Sequence, residues 1–210
     1  MLPSKMPETI CLALTGASGM PYGVRLLECL LAAGCRVQLL YSQVAQIVAR
    51  QEIGLELPAR ASDALASLQE VYRALPGRLE VYGREEWFAP LASGSSPPDA
   101  MVVCPCSMGT LAAIAQGLSS KLIERAADVV LKEGRKLILV PRETPLSAIH
   151  LENMLRLVRA GAVILPPNPG FYHHPQRLED LIDFVVARIL DQLGVRHTLM
   201  RRWGDAKSPA

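Results

Sequence analysis

Five short apolar runs, spaced along the chain and separated by segments of helical periodicity, constrain this fold more than any other feature. They are TICLALTG (9–16), CRVQLLYS (35–42), AMVVCPC (100–106), KLILVP (136–141) and AVILPP (162–167). Each is apolar on successive rather than alternate residues, the pattern of a strand covered on both faces. Between the first two, Val24, Leu27, Leu30 and Leu31 line one face of a helix over 21–33, which Gly34 stops. The spacing predicts further helices over 43–51, 62–74, 108–117, 120–133, 147–160 and 175–193, and a short strand near 79–82. Segment 52–98, with its Pro/Gly/Ser-rich stretch LASGSSPPD (91–99), is the least regular. Strands that alternate with helices imply a doubly wound, mostly parallel α/β sheet, here as a single domain over 1–210 with a tail from about 195.

In the doubly wound plan the first strand lies beside the 100–106 strand, where the winding reverses. Ligands bind at that reversal, beyond the carboxyl ends of the strands. The loops expected to meet there are 15–23, 42–44, 106–110, 141–147 and 166–174.

Composition excludes several classes. At 210 residues the chain suits one α/β domain. A net charge of +2 gives no basis for a nucleic-acid or membrane-surface partner. No run reaches the ~18 apolar residues of a membrane span. The opening MLPSKMPET lacks a secretory apolar region, so a cytoplasmic location is expected. The five cysteines (Cys11, Cys29, Cys35, Cys104, Cys106) are odd in number and form no CxxC pair. That disfavours a disulfide framework or structural zinc, and Cys104 and Cys106 read as small apolar residues at a strand end. The histidines show no HExxH spacing, and no metal is expected.

The loops carry the chemistry. In TGASGMPYG (15–23), Gly16 and Gly19 permit close backbone approach, Ser18 offers a hydroxyl, and the helix start favours an anion. A tight turn with no ligand explains the same glycines. The spacing is not GxGxxG, and the second strand ends in Tyr41-Ser42 rather than an acidic residue for a ribose. That lowers NAD and leaves a mononucleotide such as FMN open. In CPCSMGT (104–110), Ser107 and Thr110 bracket Gly109 at a helix start, suited to an N-cap worth ~1 kcal/mol, to a phosphate or flavin edge, or to both. LILVPRETPLS (137–147) delivers Arg142 and Glu143 between two prolines, as a solvated turn or as a site; Thr144 or Ser147 should cap the next helix. PPNPGFYHHP (166–175) is rigid and aromatic, and Tyr172 can hold a phosphate oxygen or wall a pocket.

Taken jointly, TGASGMPYG, PCSMGT, GLSSKLIERAADVVLKEGRKLILVPRETPLS and PPNPGFYHHP resemble the UbiX/Pad-type flavin prenyltransferases, over nearly the whole chain and least across 52–98. The resemblance implies a Rossmann-like flavoprotein that transfers a dimethylallyl group from dimethylallyl monophosphate to N5 and C6 of reduced FMN. No metal is needed. The product, prenylated FMN, serves UbiD-type decarboxylases, here in ubiquinone biosynthesis. By the same resemblance Gly16, Ala17, Ser18, Ser42, Ser107, Met108, Gly109, Thr110 and Arg142 hold FMN, and Lys132, Arg142, Tyr172 and Arg188 hold the donor phosphate. Glu143 is then the acid/base group, Ser18 relays a proton near N5, Glu52 is a pocket residue, and Trp203 in the tail LMRRWGD walls the donor. Family members are homo-oligomers built from trimers, so a homododecamer is expected. Lys132 falls at the end of a helix whose terminus points away from the carboxyl edge, which requires a neighbouring subunit to supply it.

Two other readings stand beside this one. Flavin-dependent cysteine decarboxylases resemble the early loops but carry a PxSxNT loop and an active-site histidine. Here Gly109 takes the Asn position and no histidine precedes His150. A non-catalytic FMN-binding module would have no use for Glu143 or a donor-phosphate set.

Overall fold

A computed structural model describes residues 6–200. Six parallel strands form one sheet in the order β3-β2-β1-β4-β5-β6. They are β1 (Thr9–Leu14), β2 (Arg36–Tyr41), β3 (Arg78–Val81), β4 (Ala100–Cys106), β5 (Lys136–Pro141) and β6 (Val163–Ile164). The helices are α1 (Met20–Ala32), α2 (Gln43–Ile53), α3 (Ala61–Tyr72), α4 (Met108–Ala115), α5 (Leu122–Lys132), α6 (Ala148–Arg159) and α7 (Leu178–Leu193). β1 pairs with β2 on one side and β4 on the other, so the winding reverses between β1 and β4 as the sequence predicts.

The apolar runs are continuous because the central strands are buried on both faces. On β1, Ile10, Leu12 and Leu14 join the core under α1, α2, α3 and α7, while Cys11 and Ala13 join the core under α4, α5 and α6. Fully burying each large aliphatic side chain contributes ~1.5–3 kcal/mol, so these strands anchor the sheet. β6 is shorter than the predicted 162–167 run. Pro166 and Pro167 lack the N–H groups needed to extend a ladder, and pairing stops at Leu139↔Ile164. The last helix starts at Leu178 rather than 175, with the Asp180 carboxylate accepting from the Gln176 and Arg177 amides at its start.

Not all apolar surface is covered. On α6 only Asn153, Met154 and Leu157 are buried, while Leu151, Leu155 and Val158, spaced three and four residues apart, stand about half exposed. Ile149, Val44 and Ile47 are exposed further still.

Where α1 crosses β4 the packing leaves no room. A Cβ on Gly23 would lie 2.4 Å from the Cys104 carbonyl oxygen and 2.7 Å from Leu14 Cδ2. Gly23→Ala is therefore expected to destabilise the fold by ~1–3 kcal/mol. Denaturant unfolding checks this; an unchanged midpoint would mean that the helix can slide away from the strand.

Candidate active site

The carboxyl ends of β1, β2, β4 and β5 deliver the predicted loops to one edge, and hydrogen bonds between loops hold them there. Glu52, near the end of α2, sends its carboxylate to the start of α1. It accepts from the Met20 amide at 2.8 Å and from the Gly19 amide at 3.0 Å and 3.2 Å through its two oxygens. The anion favoured by that helix start is thus the protein's own, and it fixes the 15–19 turn. Gly19 has φ 116°, a conformation that favours glycine. Gly16 is pressed by α2: a Cβ there would lie 2.4 Å from Val44 Cγ1.

Ser42 and Ser107 are N-caps. Ser42 accepts from the Ala45 amide at 3.1 Å, and Ser107 accepts from the Thr110 amide at 3.3 Å and bonds the Thr110 hydroxyl at 3.0 Å. Beside them Gly109 opens onto empty space: apart from its chain neighbours and its own helix backbone, no atom lies within 4 Å of where a Cβ would stand. Met108 is buried and anchors the turn from below. Arg142 leaves β5, and its Nε donates to the Ser18 carbonyl at 3.3 Å, so the RETP and glycine loops meet. Arg142 and Glu143 are both exposed here, which removes the cost of burying a charge pair. Glu143 accepts from the Thr144 amide, and Ser147, not Thr144, caps α6 by accepting from the His150 amide.

The edge thus gathers Gly16, Ala17, Ser18, Ser42, Ser107, Met108, Gly109, Thr110, Arg142 and Glu143, with Glu52 beneath the first loop. Tyr172, in the loop between β6 and α7, is exposed and meets the His173 ring edge-on at 6.4 Å. A single chain does not bring Lys132 or Arg188 to this edge. Lys132 ends α5 just before β5 begins, whereas Arg142 follows the end of β5, a strand about 20 Å long at ~3.3 Å per residue. Lys132 pairs there with Glu133. Arg188 lies about 15 Å along α7 at ~1.5 Å per residue, bonded to Asp191. That end of α7 is tied to the start of β5, where Lys136 Nζ donates to the Gln192 carbonyl. Trp203 lies outside the described residues.

The surroundings of Cys104 and Cys106 disfavour a thiolate. Both are fully buried, and burial pushes the Cys106 thiol up to about 12 and raises that of Cys104 as well. Among the described residues, no group of three or more His, Cys, Asp or Glu could hold a metal ion, and no helix is long and apolar enough to cross a membrane. Thr15, outside the site residues expected from sequence, is fully buried and bonded to both the Pro105 carbonyl and the Ser107 amide. The available signal was a hydroxyl closing an otherwise apolar strand.

The residues present fit FMN. Glycine loops and N-capping serines surround open space at the sheet's switch point, with one arginine in reach, and together they define a mononucleotide flavoprotein. The Flavoprotein family model matches residues 3–190, and the chain belongs to that family, among its flavin prenyltransferases. It is 57% identical over 199 residues to the flavin prenyltransferase UbiX of Pseudomonas aeruginosa, covering 95% of each chain. It is 46% identical to the UbiX of Methanothermobacter thermautotrophicus, covering 95% of this chain and 97% of that one. A solved structure of AnUbiX (PadA1) in complex with FMN and dimethylallyl pyrophosphate is 41% identical with a TM-score of 0.83, covering 96% of this chain and 100% of that one. A dodecameric FMN-dependent UbiX-like decarboxylase from Escherichia coli O157:H7 is 43% identical with a TM-score of 0.81, covering 93% and 98%. The FMN-dependent cysteine decarboxylase TvaF, 18% identical with a TM-score of 0.55, shares the fold alone.

Gly109 separates stability from binding. Gly109→Ala adds a methyl to open space inside a helix, so the apoprotein should melt at the wild-type temperature or above, by up to ~1 kcal/mol of helix propensity. FMN affinity should fall, since the methyl enters the space beside the flavin loops. Calorimetry with an FMN titration checks both; unchanged FMN affinity would take Gly109 out of the flavin contact.

Proposed function

We propose that this chain transfers the dimethylallyl group of dimethylallyl monophosphate to N5 and C6 of reduced FMN, and that the prenylated FMN passes to a UbiD-type decarboxylase, in the cytoplasm and in the service of ubiquinone biosynthesis. The observation that carries this reading is the bond from Arg142 to the Ser18 carbonyl, which joins the loop that bears Arg142 and Glu143 to the glycine loop. The flavin supplies the nucleophilic positions. The donor's allylic C–O bond breaks and phosphate departs as an anion, so the protein must stabilise negative charge on the leaving group.

Arginine suits that task through bidentate hydrogen bonding, and Arg142 is already at the edge. Glu143, exposed beside it, is the group that moves protons between flavin and departing phosphate. Ser18 relays a proton near N5, and Tyr172 helps hold the donor phosphate. Side chains, rather than a metal, carry the phosphate charge. Glu52 acts from below, because its carboxylate holds the Gly19 and Met20 amides that shape the first loop. Glu143→Gln should keep FMN affinity and slow prenyl transfer by at least about tenfold, the modest end of the range for acid/base groups. Single-turnover kinetics on the reduced flavin checks this; wild-type rates in the variant would remove Glu143 from proton transfer.

Lys132 and Arg188 complete the donor site only if other copies supply them. The half-exposed Leu151, Leu155 and Val158 stripe supports self-association, and the E. coli relative is described as dodecameric. We take the assembly to be a homododecamer with shared sites. The impaired variants Lys132→Ala and Glu143→Gln, unfolded together and refolded as a mixture, should be more active than either variant refolded alone. Mixed assemblies hold some pockets with both residues intact. No recovery would place each site within one chain.

A further inference from the structure

We infer that Thr15 is a positioning residue for the flavin, its buried hydroxyl locking the Ser107–Thr110 loop to the Gly16–Ser18 loop. The inference rests on the assignment of both loops to FMN. Thr15 is fully buried. Its Oγ1 donates to the Pro105 carbonyl at 2.8 Å and accepts from the Ser107 amide at 2.7 Å. A hydroxyl has one proton, so these partners settle its orientation, and both of its roles are used.

The position of this bridge gives it its role. The β1–β4 ladder ends at Ala13↔Val103, and the β4–β5 ladder shifts register between Val103 and Cys106. Pro105 has no N–H to offer. Beyond that irregularity, β1 and β4 stay joined by Thr15, through its amide to the Pro105 carbonyl at 3.1 Å and through its hydroxyl. The amide bond serves the strand. The hydroxyl reaches further, to the amide of the residue that caps α4. Ser107 in turn holds the Thr110 amide and hydroxyl. Without the Thr15 oxygen the Ser107 amide has no buried partner and must turn toward water, carrying the start of α4 with it. Valine fills the same volume and keeps the backbone bond, so its effect falls on the loop rather than on the core.

The test compares Thr15→Val and Thr15→Ser in the full chain, with Val130→Ala as a core control on α5, away from the loops. FMN affinity is read by quenching of flavin fluorescence, loop environment by the shape of the bound flavin's visible bands, and stability by melting of the apoprotein. Thr15→Val should weaken FMN about tenfold or more and shift the bands, while Thr15→Ser, which keeps the hydroxyl, should stay within about twofold of wild type. Val130→Ala should lower the melting temperature and leave FMN affinity unchanged. If Thr15→Val cannot be recovered folded, Thr15→Ala replaces it with the same expected loss. Wild-type affinity and bands in the hydroxyl-free variant, or an equal loss in Thr15→Ser, would overturn the role. Failure of the wild-type protein itself to bind FMN would instead remove the assignment of the loops.

Discussion

The parallel pairing of β1 with β4 is the constraint on which the rest depends. Both strands are buried on both faces, so their register and depth are held by the two cores at once. The chain leaves β1 toward α1 on one face and leaves β4 toward α4 on the other. The two loops must therefore diverge, and the crevice between them is a consequence of topology rather than of any one residue. Close packing then removes slack. Gly23 lies against the Cys104 carbonyl, Gly16 lies against Val44, and Glu52 ties the α1 start to the end of α2.

On that frame the edge carries charge without burying it. Arg142 and Glu143 project from a turn held at Ser147, and within one chain both remain exposed. The other cations assigned to the donor phosphate lie toward the opposite edge, each paired with a neighbouring carboxylate, Lys132 with Glu133 and Arg188 with Asp191. These exposed pairs are individually worth little, so exchanging a carboxylate for a phosphate on assembly costs little. A site divided in this way would be catalytically incomplete until copies associate, which couples the proposed activity to assembly.

Much of this was legible in the sequence because burial and helix periodicity are local signals. The continuous apolar runs located β1, β2, β4 and β5 within two residues, Gly34 marked the end of α1, and Ser107 and Ser147 marked helix starts. Tyr41-Ser42 leaves no acidic residue for a ribose at the end of β2, and the RETP loop follows a continuous apolar run, which puts it at the sheet's carboxyl edge. What stayed hidden depends on pairs far apart in the chain. Glu52 meets Gly19 across 33 residues, and Thr15 meets Pro105 across 90, with no periodicity to announce either bond. β6 ran long in prediction because apolar character continues through Leu165, whereas pairing depends on the N–H groups that Pro166 and Pro167 lack.

The central claim is that these loops carry out transfer of a dimethylallyl group to a flavin, and it has a direct test. The full-length protein is incubated without oxygen with reduced FMN and dimethylallyl monophosphate, and the mass of the extracted flavin is measured. The account predicts a flavin heavier by one dimethylallyl-derived unit, formed only when donor and protein are both present. Recovery of unmodified FMN alone, from protein that binds FMN, would contradict it.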